Sequence, residues 1–439
     1  MTLSPWCLLL LAVPLLLLGQ LLLRRVPLLA RGSIPVPVAG GLLFALACLL
    51  LRSAGLEFSF ATKVSAGWWT WLVTPDHEWL ARPAKSLNLP LLVGFFTCVG
   101  LAAPLRLLAS GGRMLLVLLL GTLLLALLQN TVGMALASAL GAPALLGVLC
   151  GSLTLVGGHG TALGFAPRFE QAGMAAAATI GASAATVGLL AGALLAGPLG
   201  AWMLRRRMAP AARAHGSATG AEAAGGTASV PARPPVADFL ADARALAGMG
   251  RNALLHLLLV AACIKAGAWI SFGLDQLGAT LPAYMGALLL GFAVRAAHDA
   301  AGAGWLRGDT VNRIAAVLLP LFLVVTLAPL NLGELAGVAG PMLLILGVNI
   351  ALTLAFAACI VFPLLGRDRE AAVAAAGLAG FGIGSTATAV AAMDAITRQY
   401  GPAPRAATIV PPCGGFLIDL GNAPVLGFYL YLSSVILTT

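Results

Sequence analysis

Charge is what this sequence has least of. Of its 439 residues, 9% are Asp, Glu, Lys or Arg, while 60% are hydrophobic. An ordinary soluble protein spends about a quarter of its residues on charge. A polar shell around so large an apolar mass is excluded, so the chain must use lipid as solvent over most of its surface. Paired cysteines are missing as well: the seven cysteines (Cys7, Cys48, Cys98, Cys150, Cys263, Cys359 and Cys413) stand singly in apolar runs. None makes a CxxC or Cys/His metal spacing, which leaves small packing residues as their reading. No HExxH, GxSxG or P-loop occurs, and no GxGxxG opens a βαβ unit, so neither an enzyme nor an ATP-driven pump is indicated. No basic residue precedes the first apolar run, so Pro5 to Leu23 reads as a true span and not as a cleaved leader.

What the chain does have is apolar segments, at about 5–23, 34–51, 88–105, 114–140, 144–166, 174–203, 251–273, 282–297, 314–332, 341–365, 371–393 and 405–437. A membrane-spanning helix needs about 20 such residues. The formal charge of +10 does not signal nucleic acid, because the basic residues lie in short clusters between the apolar runs. From Met208 to Asp238 the chain is rich in Ala, Gly, Pro and Ser, the composition of a flexible linker. The expected organisation is a membrane half over 1–203, a linker over 204–250, and a second membrane half over 251–439.

Two segments differ from the rest. Residues 144–166 carry Gly157, Gly158, His159 and Gly160, and residues 371–393 carry Gly380, Phe381, Gly382, Ile383 and Gly384. Glycine runs weaken a plain helix, and broken backbone is tolerated at membrane depth only where protein buries it or water reaches it. Close helix packing also uses glycine, but two matched clusters in matched places point to re-entrant hairpins. That leaves five spans in each half. With the linker inside, most of the 25 basic residues fall in inside loops, while Arg52, Lys63, Arg82 and Lys85 lie outside. This bias puts both termini outside and the linker in the cytoplasm.

The halves also echo each other. Pro37 to Gly41 matches Pro282 to Gly286, FFTCVGLAAPL (95–105) matches LFLVVTLAPL (321–330), Gly121 matches Gly347, and Gly158-x-Gly160 matches Gly382-x-Gly384. Repeats with an odd number of spans must point opposite ways. Inverted repeats with broken helices meeting near the midplane mark secondary transporters. The fold class expected is an all-α polytopic membrane protein of two inverted five-span repeats, each with a re-entrant hairpin.

The chemistry-bearing residues gather at these places. At the tips, Gly157, Gly158, Gly160, Gly382 and Gly384 let backbone amides approach a ligand, and helix N-termini attract anions. Thr154, Thr161, Ser385, Thr386 and Thr388 add hydroxyls, some of which bond only their own preceding turn. His159 is a lone histidine, not a metal site; it either contacts substrate or braces the loop. Gln129 and Asn130 either join neighbouring helices or offer carbonyls to a cation. Asp419 and Asn422 follow the helix-breaking run Pro411-Pro412-Cys413-Gly414-Gly415, and a carboxylate in an apolar segment is costly enough to favour a functional role. Since anions need donors and sodium needs oxygens, the tips are assigned to substrate. Gln129, Asn130, Thr154, Asp419 and Asn422 are assigned to a sodium ion. Asp394 and Arg398 have the spacing of an interfacial ion pair, Lys265 reads as snorkelling to the outer face, and Trp68, Trp69, Trp71 and Trp79 read as an interfacial helix on the outer surface.

At its glycine motifs the sequence resembles the bacterial sodium/glutamate symporter family. The resemblance rests on IPVPVAGGLL (34–43), GFF and GL (94–101), ASGGR (109–113), QN (129–130), GS-x-TL-x-GGHGT (151–161), GFGIG-x-T-x-TA (380–389), QYGP (399–402), VP (410–411) and FLIDLGNA (416–423). It implies sodium-driven uptake of L-glutamate through the bacterial cytoplasmic membrane, no cofactor, and a homodimer embedded in lipid that moves its transport domains elevator-fashion. Some positions depart from the family's pattern: Ala387 replaces a usual proline, Val156 a hydroxyl residue, and Ala102, Ala103 and Ala392 positions that are often polar. These departures bear on substrate identity. The alternatives are a proton- or sodium-coupled carrier of another small carboxylate, and a passive channel.

Overall fold

The computed structural model describes residues 2–26, 36–54, 59–81, 83–103, 112–211, 238–277, 283–330, 333 and 338–438. Helices dominate. In chain order they are α1 (Pro5–Arg25), α2 (Val36–Ser53), the short α3 (Gly67–Trp71) and α4 (Asp76–Ala81), α5 (Leu89–Leu101) and α6 (Gly112–Ala139). There follow α7 (Ala144–Leu149), α8 (Ser152–Leu155), α9 (Gly158–Gln171), α10 (Ala177–Ala211), α11 (Asp238–Gly248) and α12 (Arg251–Gln276). The last are α13 (Met285–Ala300), α14 (Gly308–Leu327), α15 (Ala339–Phe356), α16 (Arg369–Ile383), α17 (Thr386–Tyr400), α18 (Pro404–Pro412) and α19 (Ile418–Thr438).

Among the described residues, eight helices are long and apolar enough to cross a membrane. Two further expected spans are shorter: 88–105 is helical over Leu89–Leu101, and 282–297 over Met285–Ala300. Both border residues outside the described ones. The outward faces are apolar. On α6, Leu116, Leu120, Leu124 and Leu127 are exposed, while Leu118, Thr122, Leu125, Gln129, Asn130 and Gly133 are buried. A helix with leucine outside and polar residues inside inverts the soluble pattern; it presents hydrocarbon to lipid and reserves the interior for polar contacts.

The helices sort into two bundles. In the first, α1 packs on α2, α5 lies between α13 and α14, and α12 packs on α13. Close crossings depend on missing side chains: a Cβ on Gly291 would press on the Thr97 carbonyl at 2.7 Å, and one on Gly100 would collide with the Leu288 carbonyl. In the second, α10 packs against α9, α16 and α17, α6 against α7, α15 and α19, and α16 and α17 against each other. The bundles meet chiefly along α9, where Gly164 accommodates the Tyr284 ring and Gly160 faces Phe96. Tyr284 and Phe96 are themselves stacked, with ring centroids 3.8 Å apart and planes at 11°.

Several expectations change in detail. Of the linker over 204–250, residues 212–237 lie outside the described ones, and both flanks are helical, α10 running to Ala211 and α11 beginning at Asp238. The tryptophan stretch forms two short helices because Pro75, which lacks an N–H, ends the first. A small ribbon, β1 (Thr2–Leu3) parallel to β2 (Ser59–Phe60), and an antiparallel one, β3 (Lys63–Val64) with β4 (Lys85–Ser86), flank them. Lys265 does reach this region, but it is held there: its Nζ donates to Trp71 O (3.0 Å), Thr74 O (2.7 Å) and Asp76 Oδ1 (2.9 Å), and sits 4.1 Å from the Trp71 ring centre. Hydrogen bonds from Lys265 and then Trp71 hold the Asp76 carboxyl below its ordinary pKa. The run Pro411 to Gly415 does not sever the last segment; it passes through a π-helical turn, Cys413–Leu417, into α19. A π turn widens the helix locally and accommodates the missing proline N–H. The Arg398 side chain lies outside the described ones, so its pairing with Asp394 does too.

Candidate functional site

Both glycine clusters are breaks in helices. The first segment is interrupted twice. α7 stops at Leu149, Gly151 turns the chain (φ −104°, ψ −138°) into the four-residue α8, and α9 starts at Gly158. Gly158 has φ +63°, a left-handed conformation that costs glycine nothing and other residues considerably more. The second segment breaks once, between Gly384 and Ser385. There Ser385 caps α17: Thr388 N donates to Ser385 Oγ at 3.3 Å, and Ser385 N to Thr388 Oγ1 at 3.1 Å. This capping box leaves the α17 start rigid and electropositive.

The two breaks meet. A Cβ on Gly158 would stand 3.5 Å from the Gly384 carbonyl oxygen. α10 lines the same spot: Gly188 lies against the Ile383 carbonyl so closely that a Cβ would collide with it, and a Cβ on Gly192 would lie 3.2 Å from Gly380 O. His159 is buried, and its Nε2 pairs with Thr186 Oγ1 at 3.0 Å. Because the Thr186 hydroxyl donates to Ala182 O, it accepts from His159, so Nε2 carries the proton. The geometry thus supplies the bracing contact for His159. From the last segment, Gly415 approaches Thr386, and the half-buried Asp419 lies 3.4 Å (Oδ1) from Thr161 Oγ1.

A few residues away, polar side chains knit the breaks to α6, α15 and α19. Ser152 is clamped by two asparagines. Asn130 Nδ2 donates to its Oγ (2.9 Å) and Asn130 Oδ1 accepts from its N–H (2.9 Å), while Asn422 Oδ1 accepts from its Oγ (2.8 Å) and Asn422 Nδ2 donates to its carbonyl (3.1 Å). Gln129 Nε2 donates to Thr353 Oγ1 (2.8 Å) and to Gly382 O (3.0 Å). Asn349 Nδ2 donates to Cys150 O at 2.9 Å. Two residues on the sodium list are therefore occupied with structure, and Thr154 donates to Leu149 O in its own segment. Thr388 likewise donates to Gly380 O and Ser385 O.

Sequence reasoning gave Ser152 no role beyond its place in the motif 151–161, and passed over Thr186, Asn349 and Thr353. For Asn349 a signal existed: it is a lone amide in the apolar run 341–365. Of the family departures, Ala102 and Ala103 fall at the end of α5 in the other bundle, Ala392 is buried within α17, and the Ala387 side chain lies outside the described ones. Among the described residues no cluster of His, Cys, Asp and Glu could hold a metal by three ligands. A cavity of about 1060 Å³ opens between α5, α9, α12 and α14, lined by Thr62, Glu78, Lys85, Asn88, Arg168 and Asp275 among others. Arg168 on α9 and Asp275 on α12 bridge it at 2.6 Å.

Comparison with known proteins shows the family. A family profile described as sodium/glutamate symporter matches residues 1–68 and 70–402. The sodium/glutamate symporter of Escherichia coli is 34% identical over 422 residues, covering 95% of each chain. That of Haemophilus influenzae is 31% identical over 431 residues, 97% of this chain and 96% of the relative. No solved structure matches at a significant level.

Proposed function

The chain belongs to the sodium/glutamate symporter family, and from that premise we propose that it takes up L-glutamate across the bacterial cytoplasmic membrane with sodium as the coupling ion. The observation that carries the site assignment is the meeting of the two glycine breaks, with Gly158 against Gly384. At that junction the starts of α9 and α17 bring together backbone N–H groups with partial positive charge, the arrangement that takes a carboxylate without a dedicated arginine. Gly157, Gly158, His159, Gly160 and Thr161 on one side, and Gly382, Gly384, Ser385, Thr386 and Thr388 on the other, form the substrate cradle. Sodium is held on the oxygen-rich side toward α6, α15 and α19.

The same reading makes the two breaks the tips of re-entrant hairpins in inverted repeats. The bundle division supports it. Segments that match in sequence fall together: α2 with α13 and α5 with α14 in the first bundle, and the α7–α9 segment with α16–α17 in the second. A second bundle bearing both tips and touching the first mainly along α9 is the arrangement that an elevator movement requires, with the first bundle as the fixed, dimer-forming part. Both termini are outside and the linker is cytoplasmic in this scheme.

Purified protein in liposomes, given labelled L-glutamate under an inward sodium gradient with potassium as the control, tests the proposal. Accumulation with sodium alone is the expected result, and sodium-independent flux would indicate a passive pore. A proton-coupled carrier is favoured by the carboxylate of Asp419, whose one hydrogen bond among the described residues is the long one from Thr161. Asp419→Asn should abolish gradient-driven uptake; unchanged sodium dependence in that variant removes Asp419 from the cation site.

A further inference from the structure

Among the described residues, two side-chain oxygens in the second bundle are buried with no hydrogen-bond partner: Gln129 Oε1 and Asn349 Oδ1. Both residues are fully buried. Neither amide can be turned round to cure this. Thr353 Oγ1 donates to Asn349 O at 2.8 Å, so it must accept from Gln129, and Gly382 O also needs the Gln129 amide as a donor. Cys150 O in the first break likewise requires the Asn349 amide. The neighbours dictate that both NH2 groups face backbone and that both carbonyl oxygens are left over.

The two oxygens belong to one closed ring of contacts. Gln129 bonds Thr353, Thr353 bonds Asn349 one helical turn away, and Asn349 bonds Cys150. The next residue, Gly151, returns to α6, where its missing side chain would stand 3.3 Å from the Gln129 carbonyl. The ring ties both helix breaks to α6 and α15. A buried carbonyl without a donor is costly, and such orphans in native proteins call for an explanation. A hard monovalent cation, which takes oxygen ligands and no donors, is the group that would satisfy both.

We infer that Gln129 Oε1 and Asn349 Oδ1 are ligands of the transported sodium ion. Asn130 and Asn422, whose amides are spent on Ser152, are positioning residues that hold the first break in place. The inference rests on the reading of the chain as a sodium-coupled carrier and adds Asn349, a residue outside the motifs, to its cation site. Because Gln129 also grips Gly382 of the second tip, ion and substrate sites are mechanically joined: an ion that fixes the Gln129 amide fixes the tip that meets the substrate.

The test measures sodium half-saturation of L-glutamate uptake in liposomes for the wild type, Asn349→Leu and Gln129→Met, together with sodium-dependent protection against thermal unfolding in detergent. Losing one ligand oxygen should raise the sodium half-saturation about ten- to a hundredfold. At saturating sodium the KM for L-glutamate should change by less than about threefold in Asn349→Leu and rise further in Gln129→Met, which also loses the bond to Gly382, and the thermal protection should be lost in both. Asn130→Ala should lower the melting temperature equally in sodium and potassium. Wild-type sodium half-saturation in both ligand variants would overturn the assignment and leave these oxygens to water. If the variants do not fold, maps of the wild-type protein in sodium and in choline decide: density between the two oxygens in sodium alone upholds the site, and identical maps refute it. Absence of sodium-dependent uptake in the wild type would instead refute the functional reading itself.

Discussion

The two bundles are built from the same apolar stock and differ in how far their buried polar side chains reach. In the first, buried hydroxyls donate locally: Thr97 Oγ1 to Val93 O, and Thr326 Oγ1 to Phe322 O, each one turn back on its own helix, although Thr326 Oγ1 also accepts across helices from Asn88 Nδ2 at 2.8 Å. Its glycines, such as Gly100 and Gly291, serve close packing of unbroken helices. In the second, polar side chains reach across elements far apart in sequence. Gln129 binds the second break, Asn349 the first, and Ser152 is gripped from α6 and α19. The difference follows from the backbone. An unbroken helix satisfies its own N–H and C=O groups and asks nothing of its neighbours, whereas each break frees groups that must be satisfied inside the membrane. The breaks are what make a binding site affordable there.

The sharpest way to break this contrast is at the glycines. Gly158→Val forces a β-branched residue into φ +63°, and Gly384→Val drives a Cβ to 3.0 Å from the Leu189 Cα. Each should abolish L-glutamate uptake while the protein still inserts in the membrane, checked by uptake in liposomes alongside membrane extraction.

Next come the polar links. Ser152→Ala takes one of the two Ser152 bonds from each of two buried asparagines in the second bundle, leaving Asn130 Nδ2 and Asn422 Oδ1 without that partner, and should cost about 1–3 kcal/mol. Thr97→Val removes only an own-turn bond in the first and should cost less than about 1 kcal/mol. Thermal unfolding in detergent compares them, and equal losses would erase the distinction between the bundles.

The contact between bundles should matter less to stability than to motion. Arg168–Asp275 is a partly exposed pair, worth about 1 kcal/mol or less. Asp275→Asn should leave the melting temperature nearly unchanged while altering the uptake rate by about twofold, a small change in the balance between conformations.

The smallest effect is expected at the tryptophan-rich segment that anchors Lys265. The Asp76 carboxyl has its pKa lowered by Lys265 and Trp71, so its contribution is present above the unfolded value of about 4. It is lost as pH falls through the lower folded value. Melting curves should show the wild type approaching Asp76→Asn only below about pH 4.

Much of this was legible in the sequence. Low charge and apolar runs identify a membrane protein, and the two glycine clusters locate breaks that the structure brings together. Gly158 and Gly384 come from segments more than two hundred residues apart, and only their common chemistry linked them. The partners of the amides were not legible. Whether Asn130 has spare oxygens depends on Ser152 and Asn422 arriving from two other helices, a matter of helix rotation that periodicity does not fix. Asn349 was hidden by its surroundings: one amide in an apolar run reads equally as a helix contact. The tryptophan stretch was misjudged in shape because Pro75 divides it, and the proline run at 411–412 was overrated as a breaker because a π turn absorbs it.

The most direct test is hydrogen exchange by mass spectrometry of the purified carrier in sodium, with and without L-glutamate. Substrate should protect peptides covering residues 157–161 and 384–388, together with the facing stretch of α10, and leave α5, α13 and α14 unchanged. Protection confined instead to the first bundle, or to the walls of the cavity beside Arg168, would contradict a site between the two helix breaks.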